Sequence, residues 1–264
     1  MKFEKLISIP MMAVILLFAT PARAVPSLQL DIFGGTYDAS AGVETIMASG
    51  NSFSLYAYGL SADNGGKAIN LSDTFFLSIA LVPKPSGATG GNFGSFTING
   101  GTPINVTADM TYGTPPLETF LGGIATTDPG DLQSHGIFET YFIERSFSFV
   151  SGTQSGVYNT ETQYGLGPQS GAGMYYKRFD FNITGLDAGY GLHFDLYNET
   201  RVTACKNNPN CVVGDLDAGI KAPFSHDAQA MVTTPIPEPE IYAMLGLGLG
   251  LMGWVGRRRK QQGA

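Results

Sequence analysis

The chain has 264 residues with 14% charged, 11% aromatic and 35 glycines, and a formal net charge of −7. Between residues 25 and 234 the balance is 8 Lys+Arg against 19 Asp+Glu, a net charge of −11. So acidic a segment should be repelled by nucleic acid and by anionic membrane surfaces, and no nucleic-acid partner is expected.

The first 24 residues read as a signal peptide. Lys2 and Lys5 precede an apolar run, and Ala22-Arg23-Ala24 supplies a small-residue cleavage site, with cutting expected between Ala24 and Val25. The apolar run is too short for a retained membrane anchor. The Sec translocon and signal peptidase are the partners this segment implies.

Residues 25–234 are dominated by alternation of apolar and polar side chains, the period of a half-buried strand. Leu28, Leu30 and Ile32 share one face, and Phe53, Leu55 and Ala57 share another. Thr74 to Val82 is apolar on both faces, as expected of a central strand packed on each side. Phe96 and Ile98, then Ile104 and Val106, flank Asn99-Gly100-Gly101, a hairpin signal. Ile137 to Val150 is aromatic-rich and reads as one bent strand or two short ones. Phe179, Phe181 and Ile183 alternate with polar residues, as do Leu192, Phe194 and Leu196. A final strand is expected near Ala228–Val232. No amphipathic helix appears before the tail.

Eight to ten strands joined by Gly- and Pro-rich turns predict an all-β passenger, an antiparallel β-sandwich of jelly-roll-like form. The Gly-rich stretches 86–94 and 165–173 read as mobile surface loops. Cys205 and Cys211 enclose Lys-Asn-Asn-Pro-Asn, and so short a turn-rich spacing in an exported chain predicts a disulfide loop.

Residues 235–264 form a tail with three parts. Pro237-Glu238-Pro239 comes first, then an uncharged apolar stretch over 241–255, then Arg257, Arg258, Arg259 and Lys260. The stretch predicts a transmembrane helix, and the basic cluster stops translocation and stays in the cytoplasm, so the passenger faces the periplasm. These parts, in this order, resemble the PEP-CTERM sorting signal, also catalogued as an ice-binding protein C-terminal domain. The resemblance implies recognition by exosortase, a membrane-embedded cysteine protease/transpeptidase of bacteria that also make exopolysaccharide. It implies residence in the inner membrane before processing, then the cell surface or the extracellular space. Flat Thr-x-Thr arrays are absent, so ice binding is discounted.

The passenger resembles the choice-of-anchor N family through Pro26-Ser-Leu-Gln-Leu-Asp-Ile32, Asp128-Pro-Gly-Asp131 with His135-Gly-Ile-Phe138, and Ala222-Pro-Phe-Ser-His-Asp-Ala228. No activity follows from that likeness.

Candidate chemistry is sparse. There is no G-x-S-x-G elbow and no H-E-x-x-H, so no catalytic residue is assigned and the chain is read as a non-enzyme. Asp128, Asp131, Asp215 and Asp217 sit beside turns and are candidates for a structural calcium. His135, His193 and His226, with Asp131, Asp195 and Asp227, supply the residue types of a transition-metal site. However, His193 and Asp195 fall on the polar face of an alternating strand, where exposure to solvent is expected to explain them. The alternative function is a carbohydrate-binding module acting on exopolysaccharide, with Tyr56, Tyr58, Tyr175 and Tyr176 as stacking surfaces.

Overall fold

The computed structural model describes residues 24–40, 44–62, 66–88, 90–118, 130–205 and 212–233. The expected signal helix, the transmembrane helix, the sorting motif and the basic cluster lie outside them. Among the described residues, no helix is long and apolar enough to cross a membrane.

In chain order the strands are β1 (Leu28–Ile32), β2 (Thr36–Asp38), β3 (Thr45–Met47), β4 (Ser52–Leu60), β5 (Phe75–Val82), β6 (Ser95–Ile98) and β7 (Ile104–Asn105). After a four-residue helix α1 (Val106–Asp109) come β8 (Thr111–Gly113), β9 (Thr140–Phe147), β10 (Gln154–Gly156), β11 (Gly173–Asn182), β12 (Gly191–Arg201), β13 (Leu216–Lys221) and β14 (Ala228–Met231). One sheet runs β1-β4-β11-β6-β7, with β10 on β11. The other runs β2-β3-β14-β12-β5-β9-β8, with β13 on β12.

On β1, β4, β11 and β12 the inward stripes are those the alternation predicts, and β5 is buried on both faces as its apolar run predicts. Leu28, Leu30, Leu55, Ala57, Phe179 and Phe181 of the first sheet join Leu77, Ile79, Leu192, Phe194 and Leu196 of the second in one core. Phe194 is fully buried and lies 4.8 Å from Phe181 and 5.9 Å from Phe53, ring to ring across the two sheets. The fold is therefore an all-β sandwich.

Several expectations need correction. The described residues hold fourteen strands rather than eight to ten. The extra ones, such as β2, β3 and β8, span three residues, too few to show a period. The pairing is not wholly antiparallel, because β3 and β14 run parallel. The hairpin at Asn99-Gly100 is as expected, with φ of 53° and 66° at the two turn residues. Val106, however, begins α1 instead of extending β7. The Asp215–Gly219 stretch is largely strand β13 and not a free loop.

Part of the outer face of each sheet is covered, while Arg178 and Asp180 of β11 stay open to solvent. On the first sheet Gln29 and Asp31 point outward opposite Tyr58 and Tyr56. A cap from the 157–171 segment closes over them. Asp31 accepts hydrogen bonds from the Gly165 N–H at 2.7 Å, the Gly167 N–H at 3.1 Å and the Tyr158 hydroxyl at 3.0 Å. Gly165 and Gly167 take φ of 73° and 67°, a region that glycine enters without the steric cost of a side chain. The segment expected to be a mobile loop is thus anchored by a buried carboxylate. Tyr58 is fully buried and Tyr56 is 9% exposed beneath this cap, packed with Tyr158 and Tyr176. Of the tyrosines expected to stack on sugars, Tyr56, Tyr58 and Tyr176 instead form a second small core, and Tyr175 packs against the main one.

Candidate metal centre

The outer face of the second sheet carries the chemistry. In an antiparallel strand, residues i and i+2 share a face, so His193 and Asp195 of β12 point the same way. The β12–β14 register pairs Phe194 with Ala228 and His193 with Gln229. Continued by one residue, it sets Asp227 opposite Asp195. Asp227 is further held by β3, whose Ile46 N–H donates to the Asp227 carbonyl. The fourth group, His135, comes from the 130–139 segment that caps this face through Leu132 and Phe138.

These four side chains converge. His135 Nε2 lies 3.0 Å from His193 Nε2, 3.6 Å from Asp195 Oδ1 and 3.9 Å from Asp227 Oδ2. His193 Nε2 lies 3.5 Å from Asp195 Oδ1 and 3.3 Å from Asp227 Oδ2. All four donor atoms fall within 4.8 Å of one another. His193 is 2% exposed, Asp195 5% and Asp227 2%. The expectation that solvent exposure explains His193 and Asp195 is overturned, because the 130–139 cap buries the polar face of β12.

Local structure aims each group inward. His135 has φ of +27°, a region few non-glycine residues occupy, and its ring stacks on Phe224 at 4.1 Å. Its Nδ1 lies 2.7 Å from the Gln133 carbonyl. A carbonyl only accepts, so Nδ1 is the donor in this contact, and in the neutral ring that leaves Nε2 as the acceptor facing the cluster. Burial alone would lower the His193 pKa, but Asp195 and Asp227 outweigh it and hold the imidazole up to about 10. Burial raises the Asp195 carboxyl, yet the His193 charge and hydrogen bond leave it below the usual carboxylate range. Asp227 is pushed up by burial, with His193 opposing. The arrangement favours a positive charge at its centre.

The other sequence candidates are not brought into this cluster. His226 instead lies 3.0 Å from the Asn159 side-chain oxygen and 2.8 Å from the Ser225 hydroxyl. Asp128 lies outside the described residues. Asp215 immediately precedes β13 and Asp217 is its second residue. The 130–131 turn abuts them, with the Ala218 N–H donating to the Gly130 carbonyl. Among the described residues, that acidic pair and Asp131 do not form a group of three or more converging ligands, whereas the His135 cluster does. No cysteine is free among the described residues, which include Cys205; Cys211 lies outside them.

Comparison with known proteins bears on the tail. Residues 235–260 match the PEP-CTERM protein-sorting motif. The chain carries a PEP-CTERM sorting motif. Such a motif marks a protein that exosortase sorts to the cell surface, as the sequence of the tail implies. The match does not extend to the passenger, and it supports neither the choice-of-anchor N resemblance nor the ice-binding label. No curated protein and no solved structure matches the chain.

Proposed function

We propose that the chain is a non-enzymatic surface or matrix protein, in which a β-sandwich passenger is delivered by the signal peptide and released from the membrane by exosortase. The observation that carries this reading is the sorting motif over residues 235–260. Pro237 and Pro239 lack backbone donors and keep their segment extended, which presents Glu238 outside the membrane. The apolar stretch 241–255 spans the inner membrane, and Arg257–Lys260 hold its cytoplasmic end. Cleavage falls near residues 237–240. Replacing Pro237, Glu238 and Pro239 together by alanine is expected to leave full-length protein in the inner membrane, while wild-type passenger reaches the surface or medium without its basic tail. Mass spectrometry of both fractions from exosortase-positive cells decides this. If wild-type protein kept the Arg257–Lys260 tail, the segment would be only an anchor.

The Cys205–Cys211 disulfide belongs to the same reading, since the passenger matures in an oxidising compartment. Closing so short a loop stabilises by roughly 2 kcal/mol in the chain-entropy description. Non-reduced peptide mapping of the surface protein is expected to recover one linked peptide pair. Two free thiols would remove the loop from the account.

The carbohydrate-binding alternative relied on exposed tyrosines. Burial of Tyr56 and Tyr58 beneath the 157–171 cap removes its main support.

A further inference from the structure

We infer that His135, His193, Asp195 and Asp227 form a closed, tetrahedral site for a divalent transition-metal ion of the zinc class. This goes beyond the sorting function, and it rests on separate residues.

Geometry carries the inference. A tetrahedron with bonds of about 2.0–2.1 Å has edges of about 3.3–3.4 Å. The five donor separations given above run from 3.0 to 3.9 Å and bracket that edge. Two imidazole nitrogens with two carboxylate oxygens suit zinc better than calcium, which prefers six to eight oxygen ligands. The tautomer of His135 set by Gln133 leaves Nε2 able to coordinate. A central cation would neutralise the two buried carboxylates, which otherwise carry a large desolvation penalty.

Four protein ligands complete a tetrahedron and leave no position for a reacting water, the mark of a structural site. The ion would join three parts of the chain that are distant in sequence: the 130–139 cap, strand β12 and the turn entering β14. The competing occupant is a proton held on His193 between the carboxylates, and the experiment separates the two.

The exported protein is stripped with chelator and titrated with Zn²⁺ and, separately, with Co²⁺. One equivalent of zinc per chain is expected, and cobalt should give the intense visible bands of tetrahedral coordination. At zinc about 100-fold above Kd the melting temperature should rise by roughly 5–10 °C. His135→Ala, which alters only the cap, and Asp195→Asn should each weaken binding by about 100-fold or more. Asp217→Asn should leave it unchanged. The cobalt spectrum and the melting shift need no variant, so they decide the question even if a substituted chain fails to fold. Wild-type protein that takes up neither metal, with His193 protonated on both ring nitrogens by NMR, would overturn the site. So would uptake that both His135→Ala and Asp195→Asn leave intact.

Discussion

Replacing Phe194 by alanine is expected to destabilise the passenger by about 4 kcal/mol. Phe194 is fully buried at the centre of β12, and its ring meets Phe181 and Phe53 from the opposite sheet. The loss combines the transfer free energy of the ring with the cavity left behind. That cavity can collapse only if the sheets move together, and the inward rows of both β5 and β11 resist this. Phe194→Leu should lose roughly a third of that amount, because most of the volume is retained. Denaturant unfolding of the exported protein measures both. A Phe194→Ala loss below about 1 kcal/mol would mean that the two sheets do not pack tightly through this row.

The second large effect concerns Asp31. Asp31→Ala should cost about 3 kcal/mol or more and should act mainly on the 157–171 cap. The carboxylate is fully buried, and burial raises its pKa despite the donors from Gly165, Gly167 and Tyr158. Alanine leaves those donors facing an apolar gap, so each loses its partner without regaining water. Asp31→Asn should fall between the two, since one oxygen still accepts while the new amide group faces other donors. Amide exchange resolves the location: protection at Gly165 and Gly167 should fall well before that of β4 and β11. Uniform loss across the passenger would show that the cap and the sandwich unfold as one unit.

Alternation along the chain was enough to place the inward rows of β1, β4, β11 and β12, whereas β5 is apolar on both faces and shows no such row. A strand's period is local, and burial against a second sheet requires only that one face be apolar. The hairpin at Asn99-Gly100 was equally legible, because only a few residue types accept positive φ at both turn positions. The ends of the chain were read in the same way, from charge, apolar length and proline. These signals lie within a few residues of one another.

The candidate metal centre was not legible to the same degree. The pair His193-x-Asp195 showed that two ligand types share a face, but the same pattern describes any solvated strand. What turns the pair into a site is β12–β14 pairing, which brings Asp227 alongside from 32 residues further on, together with a cap that delivers His135. Cap segments carry no period, because their side chains answer to the surface they cover and not to a repeating backbone. The same reason explains Tyr56 and Tyr58, whose outward direction was readable while their cover was not. The amino-acid sequence by itself determined the longer strands, the inward faces of those that alternate, and the sorting motif of the tail. Only the tertiary structure decided which outward faces are buried, and there long-range pairing and aperiodic caps gather the polar groups that local patterning leaves apparently exposed.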